Sequence, residues 1–556
     1  MRYDDARLDL LAWRAEYPSD PFADDAPLRA ALERALPRDR HAALVAEATE
    51  FGREVVDVIG PAATRYEHRT HLPELARYDG IGRRTEEIRF DASYHRAGAA
   101  VWSSGLVAHS GTPGRAFEQA VLLYLLSLEG EAGHACPAVC TIGLARALRR
   151  SAGPEVRERF LPPLLERDYN AAQRGSQFLT EVQGGSDVGA NATGASTGPD
   201  GTFSVTGEKW FCSVADADQF LVTARRPDGP DGTRGLGCFV IPRVLDGVPN
   251  GFALRRLKEK LGTRGMASGE IDFDGAVAWP IGPVEDGFKT AVGIVLNTSR
   301  WMTAVGSTGM IRRAYLEASA YARHRRAFGA PIADFPAVQA TLADLRTAWL
   351  GALHLVLALT ALEDRIDGGT ADDEVVIYHR FLVNAAKYAA SVEATAAVRN
   401  AIEVLGGNGT IEQFSVLPRL YRDSIVYESW EGTHNVLVAQ VLADMRRLPV
   451  LDVVSDRLAK PLGEGGSPTA DHAAAELDGA VNDARRAMAD PEYGARYFRL
   501  VLDRLVGVAQ VASLLAVGEE VAAAHLLRSR VERLAPDADA GHAARVAALA
   551  ATSATD

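Results

Sequence analysis

The chain has 556 residues, 47% hydrophobic and 24% charged, the composition of a soluble globular protein too long for one ordinary core, so two to four domains are expected. A formal net charge of −13 excludes a chain that coats nucleic acid by bulk attraction, while leaving a local basic face open. The acidic start Met1-Arg2-Tyr3-Asp4-Asp5 has no apolar core for a signal peptide, and the most apolar run, Ala348 to Leu362, is interrupted by Gly351 and His354. That run falls short of the roughly 20 residues that a bilayer demands, so a cytoplasmic protein with no membrane partner is expected.

In chain order, residues 1–176 read as helical. Pro27 to Leu36, Asp39 to Ile59 and Ala116 to Arg150 carry apolar residues three and four apart, with Pro27 at a first helical position and Asp39 as an N-cap. Gly153-Pro154 breaks the last of these, and a short helix restarts at Glu155. His134, Cys136 and Cys140 could share a helix face, but no second ligand pair follows, so they read as buried small residues and no metal is expected. With Cys212 and Cys238 they complete a cysteine set that suits a reducing compartment.

Residues 177–286 change character. A polar loop, Thr180-Glu181-Val182-Gln183-Gly184-Gly185-Ser186-Asp187-Val188, precedes strands at Thr202–Val205, Trp210–Ser213, Phe220–Ala224, Gly237–Ile241 and Glu270–Asp274, punctuated by Asp-Gly turns. Residues 287–445 return to helix: Ser307 to Ala327, Pro336 to Asp364, and Asp372 to Leu405, stopped by Gly406-Gly407. Residues 446–556 form a helical appendix with a Pro/Gly-rich linker at Pro461 to Asp471 and helices at His472–Ala489 and Arg496–Leu534. The predicted class is α+β, mainly α. It comprises an N-terminal helical domain, a small central β-barrel or sandwich, a C-terminal four-helix bundle and a helical extension.

Three stretches carry chemistry. Thr180 with Gly184-Gly185-Ser186 offers closely spaced amides and hydroxyls, a nest for a phosphate or the polar edge of a flavin, although an ordinary turn has the same letters. Gly207-Glu208-Lys209-Trp210-Phe211-Cys212-Ser213 puts bulky aromatics and a hydroxyl on a strand, where they could cover a flat ring or simply fill a core. In Glu428-Ser429-Trp430-Glu431-Gly432-Thr433-His434-Asn435 a carboxylate stands between a Trp and a Gly, partly desolvated and so a stronger base. The same letters also suit a helix start with Thr433 as N-cap. Arg325-Arg326-Ala327-Phe328-Gly329, read as a helix end, could clamp a pyrophosphate or complement the helix dipole.

Together these motifs resemble the acyl-CoA dehydrogenase family from about Phe160 to Leu442. The strings are T-E-x-x-G-G-S-D-V, G-E-K-W-F-x-S, K-L-G-T-R-x-x-x-S, R-R-A-F-G, E-V-L-G-G-N-G-T and L-Y-R-D-x-x-V-Y-E-S-W-E-G-T, in that order. The W-E-G-x-x-N form, the long N-terminal helical region and the appendix look most like the AidB-type adaptive-response branch. The resemblance implies non-covalent FAD held by Gln177, Leu179, Thr180, Gly185, Ser186, Phe211, Cys212, Ser213, Trp430, Thr433 and Asn435. It also implies that Arg326 and Phe328 reach the FAD of a neighbouring subunit in a dimer or tetramer. Glu431 matches the base that takes the α proton of an acyl thioester, and Arg300 matches an Arg beside the substrate channel. Many members have Trp where Phe211 stands and Gln where Pro336 stands, which puts the subunit-bridging contacts in doubt. For the appendix, the resemblance raises DNA binding, with Arg528, Arg530 and Arg533 as a candidate stripe. Acidic residues in the appendix outnumber its cations, which favours a packing face over a phosphate-binding one.

Overall fold

Pro27 lies in the first turn of a helix as the sequence predicts, although that helix, Ala26–Ala35, begins one residue earlier. The buried Asp25, which the sequence reading did not single out, caps it by accepting the Leu28 amide at 3.0 Å. In this computed structural model, residues 7, 8, 10–532 and 541–551 are described, with 465, 542, 543 and 546 by backbone alone. Asp39 lies inside the first turn of Arg38–Glu54 and is not its cap. The helix expected from Ala116 to Arg150 is two, Ala116–Ser127 and Ala132–Ser151. Gly130 between them takes a positive φ of 57°, and Glu131 caps the second by accepting the His134 and Ala135 amides.

The described residues group into two compact units. One holds those up to Arg53, Ser127–Gly130 and those from Thr303 onward; the other holds Glu54–Leu126 and Glu131–Met302.

The second unit contains the β domain. A hairpin of β1 (Glu74–Tyr78) and β2 (Arg84–Arg89) was hidden in a stretch read as helical, because its strands are mostly exposed and carry little apolar pattern. Tertiary contacts hold it: the Glu86 carboxylate accepts the Leu254 amide at 2.7 Å, and Arg243 donates to the Glu86 carbonyl at 3.0 Å. The main sheet comprises β3 (Gly175–Phe178), β4 (Gly194–Thr197), β5 (Phe203–Ser213), β6 (Gln219–Arg225), β7 (Leu236–Pro242), β8 (Phe252–Leu257) and β9 (Ser268–Pro280). Strands β9, β5, β4, β6 and β7 pair in a closed circuit, with β8 on β9 and β3 on β6. What read as two strands, Thr202–Val205 and Trp210–Ser213, is the single strand β5, bent at Gly207 (φ 144°). A Cβ at Gly207 would stand 2.7 Å from the Thr193 Cα, so glycine lets the strand pass its neighbour.

Beside the barrel, His134, Tyr94 and Tyr66 form a buried aromatic cluster, with the His134 and Tyr94 rings 4.0 Å apart. His134 Nε2 meets the Tyr94 carbonyl at 2.7 Å, and the Cys136 and Cys140 sulfurs lie 3.9 Å apart, buried. Burial pushes the His134 imidazole down to about 3 and the Glu131 carboxyl up to about 7, the latter against hydrogen bonds from Tyr66, His134 and Ala135. The folded state therefore holds the Glu131 proton more tightly than the unfolded chain. Its stabilising effect is full below the ordinary 4.5 and is lost as pH rises through about 7. Between about pH 4 and pH 8, wild type should lose about 3 kcal/mol of stability relative to Glu131→Gln, read from denaturant midpoints. A constant difference across that range would remove the assignment.

In the first unit, Pro336–Asp367 and Asp373–Leu405 are the long central helices, the latter capped by Asp372 on the Val375 amide. Pro336–Asp367 is much longer than the apolar run seen in the sequence and reaches the length and apolarity of a membrane span. With 83% of its apolar window buried, packing inside the protein accounts for its character. The N-terminal segment joins this unit through Arg312 and Asp25, an ion pair at 3.1 Å with both side chains wholly buried, and through Arg40 and Asp364 at 2.8 Å.

The linker expected at Pro461 to Asp471 is mostly helix. Val450–Gly465 runs through Pro461, and after a left-handed Gly466 and the N-cap Ser467 the next helix, Pro468–Ala489, begins. Val450, Val454, Leu458 and Leu462 are all buried on one face, and that burial carries the helix past the proline. The helix predicted from Arg496 to Leu534 is instead Pro491–Leu515 and Glu520–Leu526, followed by a π turn. Here Arg528 pairs with Glu532 at 2.6 Å and Arg530 pairs with Glu393, while Arg533 lies outside the described residues.

Candidate active site

The polar loop after β3 is anchored from below by ions. Glu181 and Lys209 form a pair at 2.6 Å with their side chains 1% and 0% exposed, and the carboxylate also accepts the Ala192 amide at 2.6 Å. Burial opposes ionisation of Glu181, yet Lys209 and the neighbouring donors hold its carboxyl below the usual range. Burial likewise lowers the Lys209 ammonium, with Glu181 pulling the other way. Above this pair the loop folds on itself through Glu181 and Gly184, which exchange backbone hydrogen bonds. The Gly185 and Ser186 amides and the Thr180 and Ser186 hydroxyls donate to no other group among the described residues. Gly185 is open as well, since a Cβ there would meet only Thr180 Cγ2, at 3.8 Å.

The aromatic strand is re-aimed by a bulge. Cys212 pairs with Gly269 and Lys209 with Ile271, so Trp210 and Phe211 together face the single residue Glu270. The extra residue sends Lys209 and Cys212 inward, three positions apart, and leaves Phe211 half exposed. Lys258 Nζ sits 3.5 Å from the Trp210 ring centroid and 4.6 Å from that of Phe211. Cys212 is wholly buried and its thiol is pushed up by burial, so the side chain belongs to the barrel interior, whereas Ser213 is half-buried. Leu179 is buried and offers its carbonyl to Asn191 at 2.5 Å. The Gln177 amide is engaged, donating to the Cys140 carbonyl at 3.3 Å and accepting from Ser299 at 3.3 Å. Arg300 is buried on the helix Asn297–His324 and meets Asn297 Oδ1 at 3.4 Å.

A second set of residues lies in the other unit. Leu417–Ser429 and His434–Arg447 are separated by four residues, in which Glu431 takes φ 56° and Gly432 takes φ 105°. A left-handed glutamate is sterically costly and persists only where its surroundings hold it. Trp430 packs its ring 4.8 Å from that of Tyr427, and Thr433 occupies the N-cap position without a side-chain cap bond. Thr433 and Asn435 are exposed. Burial, with the Lys387 and Arg499 charges, pushes the His434 imidazole down to about 4, so the residue after Thr433 is neutral near pH 7.

Arg326 and Phe328 do not close a helix. The helix stops at His324, and Arg326–Ala327 pairs with Ala330–Pro331 in a hairpin whose central residues, Phe328 and Gly329, have φ of 50° and 88°. Phe328 is 100% exposed, and Arg326 closes the turn on the Gly329 carbonyl at 2.7 Å.

Sequence reasoning assigned no role to Glu181, Lys209 or Lys387. For Lys387 the signal was a lone cation in an otherwise small or apolar run, Asn384-Ala385-Ala386-Lys387-Tyr388-Ala389-Ala390.

Three families described by sequence match the chain in succession. Adaptive response protein AidB N-terminal domain covers residues 15–171, acyl-CoA dehydrogenase, middle domain, covers 176–276, and acyl-CoA dehydrogenase, C-terminal domain, covers 285–445. The chain is 33% identical to AidB of Escherichia coli (strain K12) over 70% of its own length and 73% of that protein. It is 31% identical to acyl-CoA dehydrogenase family member 11 of Caenorhabditis elegans over 76% of its length and 70% of that protein. In structure it is similar to Caenorhabditis elegans ACDH-11, crystallised in complex with C11-CoA. The TM-score is 0.84 at 25% identity, covering 96% of this chain and 91% of that one.

Proposed function

We propose, from the premise that this chain belongs to the acyl-CoA dehydrogenase family, that it oxidises an acyl thioester with Glu431 as the base for the α proton. As a member it is an FAD-dependent oxidoreductase acting on a CH–CH group. The observation that carries the assignment of the base is the held left-handed carboxylate of Glu431, between Trp430 and Gly432. The flavin-side residues suit the cofactor: unpaired donors at Thr180, Gly185 and Ser186 match a polar heterocycle edge, and the exposed Phe211 ring beside them matches its face. Bound FAD supplies the acceptor for the hydride that leaves the β carbon.

The chain's own residues handle the proton. A thioester α proton is too weakly acidic for an unaided carboxylate, so the carbonyl oxygen must be stabilised by hydrogen-bond donors as charge develops on it. Trp430, its ring packed on Tyr427, fixes one side of the turn, and the fixed turn spares the base a conformational search. The wholly exposed Phe328 hairpin suits contact with a second copy of the chain, in a dimer or tetramer. Anaerobic titration of the holoenzyme with acyl-CoA thioesters of graded chain length tests the reading. Loss of flavin absorbance with at least one of them is expected, and a colour unchanged by all of them would end it.

The other reading, a DNA-associated flavoprotein, depended on cations that the structure shows facing carboxylates, Arg528 on Glu532 and Arg530 on Glu393. A gel shift at low salt is therefore expected to show no retardation that Arg528→Ala/Arg530→Ala removes. A retarded band abolished by that double substitution would restore DNA binding.

A further inference from the structure

We infer that Lys387 is the positioning residue that sets Glu431, by holding both ends of the turn that carries it. Lys387 stands on the helix Asp373–Leu405 with its side chain 0% exposed. Its Nζ donates to the Glu428 carbonyl at 2.9 Å and to the Gly432 carbonyl at 3.1 Å. These two carbonyls bracket Glu431 in the sequence. In a continuing helix the Glu428 carbonyl would accept the amide of residue 432, four positions on. The chain instead turns at Trp430, whose amide closes the last turn on Val426, and Gly432 swings to φ 105°. The ammonium takes the place of the missing amide and gathers the Gly432 carbonyl to the same point. Glu431, at φ 56°, is the residue forced into the left-handed region by that closure.

Satisfying two carbonyls does not require a charge. A buried ammonium costs several kcal/mol in desolvation, which a neutral donor would largely avoid. The positive charge complements the C-terminal end of the helix Leu417–Ser429 and favours negative charge at the turn. Lys387 thus acts through the turn that carries Glu431.

This inference rests on Glu431 being the base, and its test separates the two. In the FAD-loaded enzyme, Lys387→Met is expected to slow flavin reduction by a saturating acyl-CoA roughly 10²-fold, as a misplaced catalytic group does. FAD content and the half-saturating acyl-CoA concentration should stay within roughly twofold of wild type, and Lys387→Arg should recover part of the rate. In a Glu431→Gln background, Lys387→Met should change the residual rate by less than about twofold, because the two residues act as one unit. Gly432→Ala strains the same turn without touching the buried cation, and should give the same rate-specific loss if Lys387→Met does not fold. Wild-type rates in Lys387→Met, or equal losses in both backgrounds, would overturn the role of Lys387 while leaving the dehydrogenase reading intact. A wild-type protein that no acyl-CoA reduces would overturn that reading itself, and the inference with it.

Discussion

Glu431→Gln is expected to bind FAD and acyl-CoA as wild type does, yet to reduce its flavin roughly 10²- to 10⁴-fold more slowly. The amide keeps the size and one acceptor of the carboxylate, so the turn built by Lys387, Trp430 and Gly432 should survive the exchange. What it loses is the ability to accept the α proton, the one function that no hydrogen-bonding isostere replaces. Stopped-flow absorbance under anaerobic conditions gives the rate, and the visible spectrum before mixing gives the FAD content. Both readouts are needed, because a collapsed turn would also slow reduction while changing cofactor binding. A variant that keeps its flavin and still reduces it at the wild-type rate would move the base to another residue.

Glu181→Ala should cost about 3–5 kcal/mol of stability and weaken FAD binding, since it strands Lys209 in the barrel without its carboxylate. The remaining acceptor for Nζ is the Leu179 carbonyl at 3.4 Å, too distant to compensate an ammonium with no exposed surface. The same substitution frees the Ala192 and Thr193 amides, which Glu181 now receives on the far side of the loop. Denaturant unfolding of the apoprotein reads the first effect, and titration with FAD reads the second. Pairing Glu181→Leu with Lys209→Met removes both charges together, so it should regain much of the stability but not the affinity, because the loop has lost its anchor. If Glu181→Ala costs less than about 1 kcal/mol, the pair is too well hydrated to organise the site.

Several features were legible because they are written in short-range chemistry. The Gly-Gly-Ser loop, the Pro in the first turn of Ala26–Ala35, the strand runs at 220–224 and 237–241, and the carboxylate between Trp430 and Gly432 each depend on neighbours within a few positions. Others misled for the same reason. Pro461 with its glycines reads as a linker until the apolar face of Val450–Gly465 is seen to be buried, and a sparse apolar pattern concealed the hairpin at 74–89. The bulge at Trp210-Phe211 has no local marker, yet it decides that Phe211 faces outward and Cys212 does not.

By itself, then, the sequence determined the family, the cofactor class and the mainly helical plan around one β domain, and it put Glu431 forward as the base. The tertiary structure alone decided which buried cations serve which turns: Lys209 reaches Glu181 across 28 positions, and Lys387 reaches the Glu428 and Gly432 carbonyls across 41 and 45. A charge can lie inside a protein only where partners converge on it from distant segments. That convergence belongs to the packing of helices and strands, and no local stretch of residues records it.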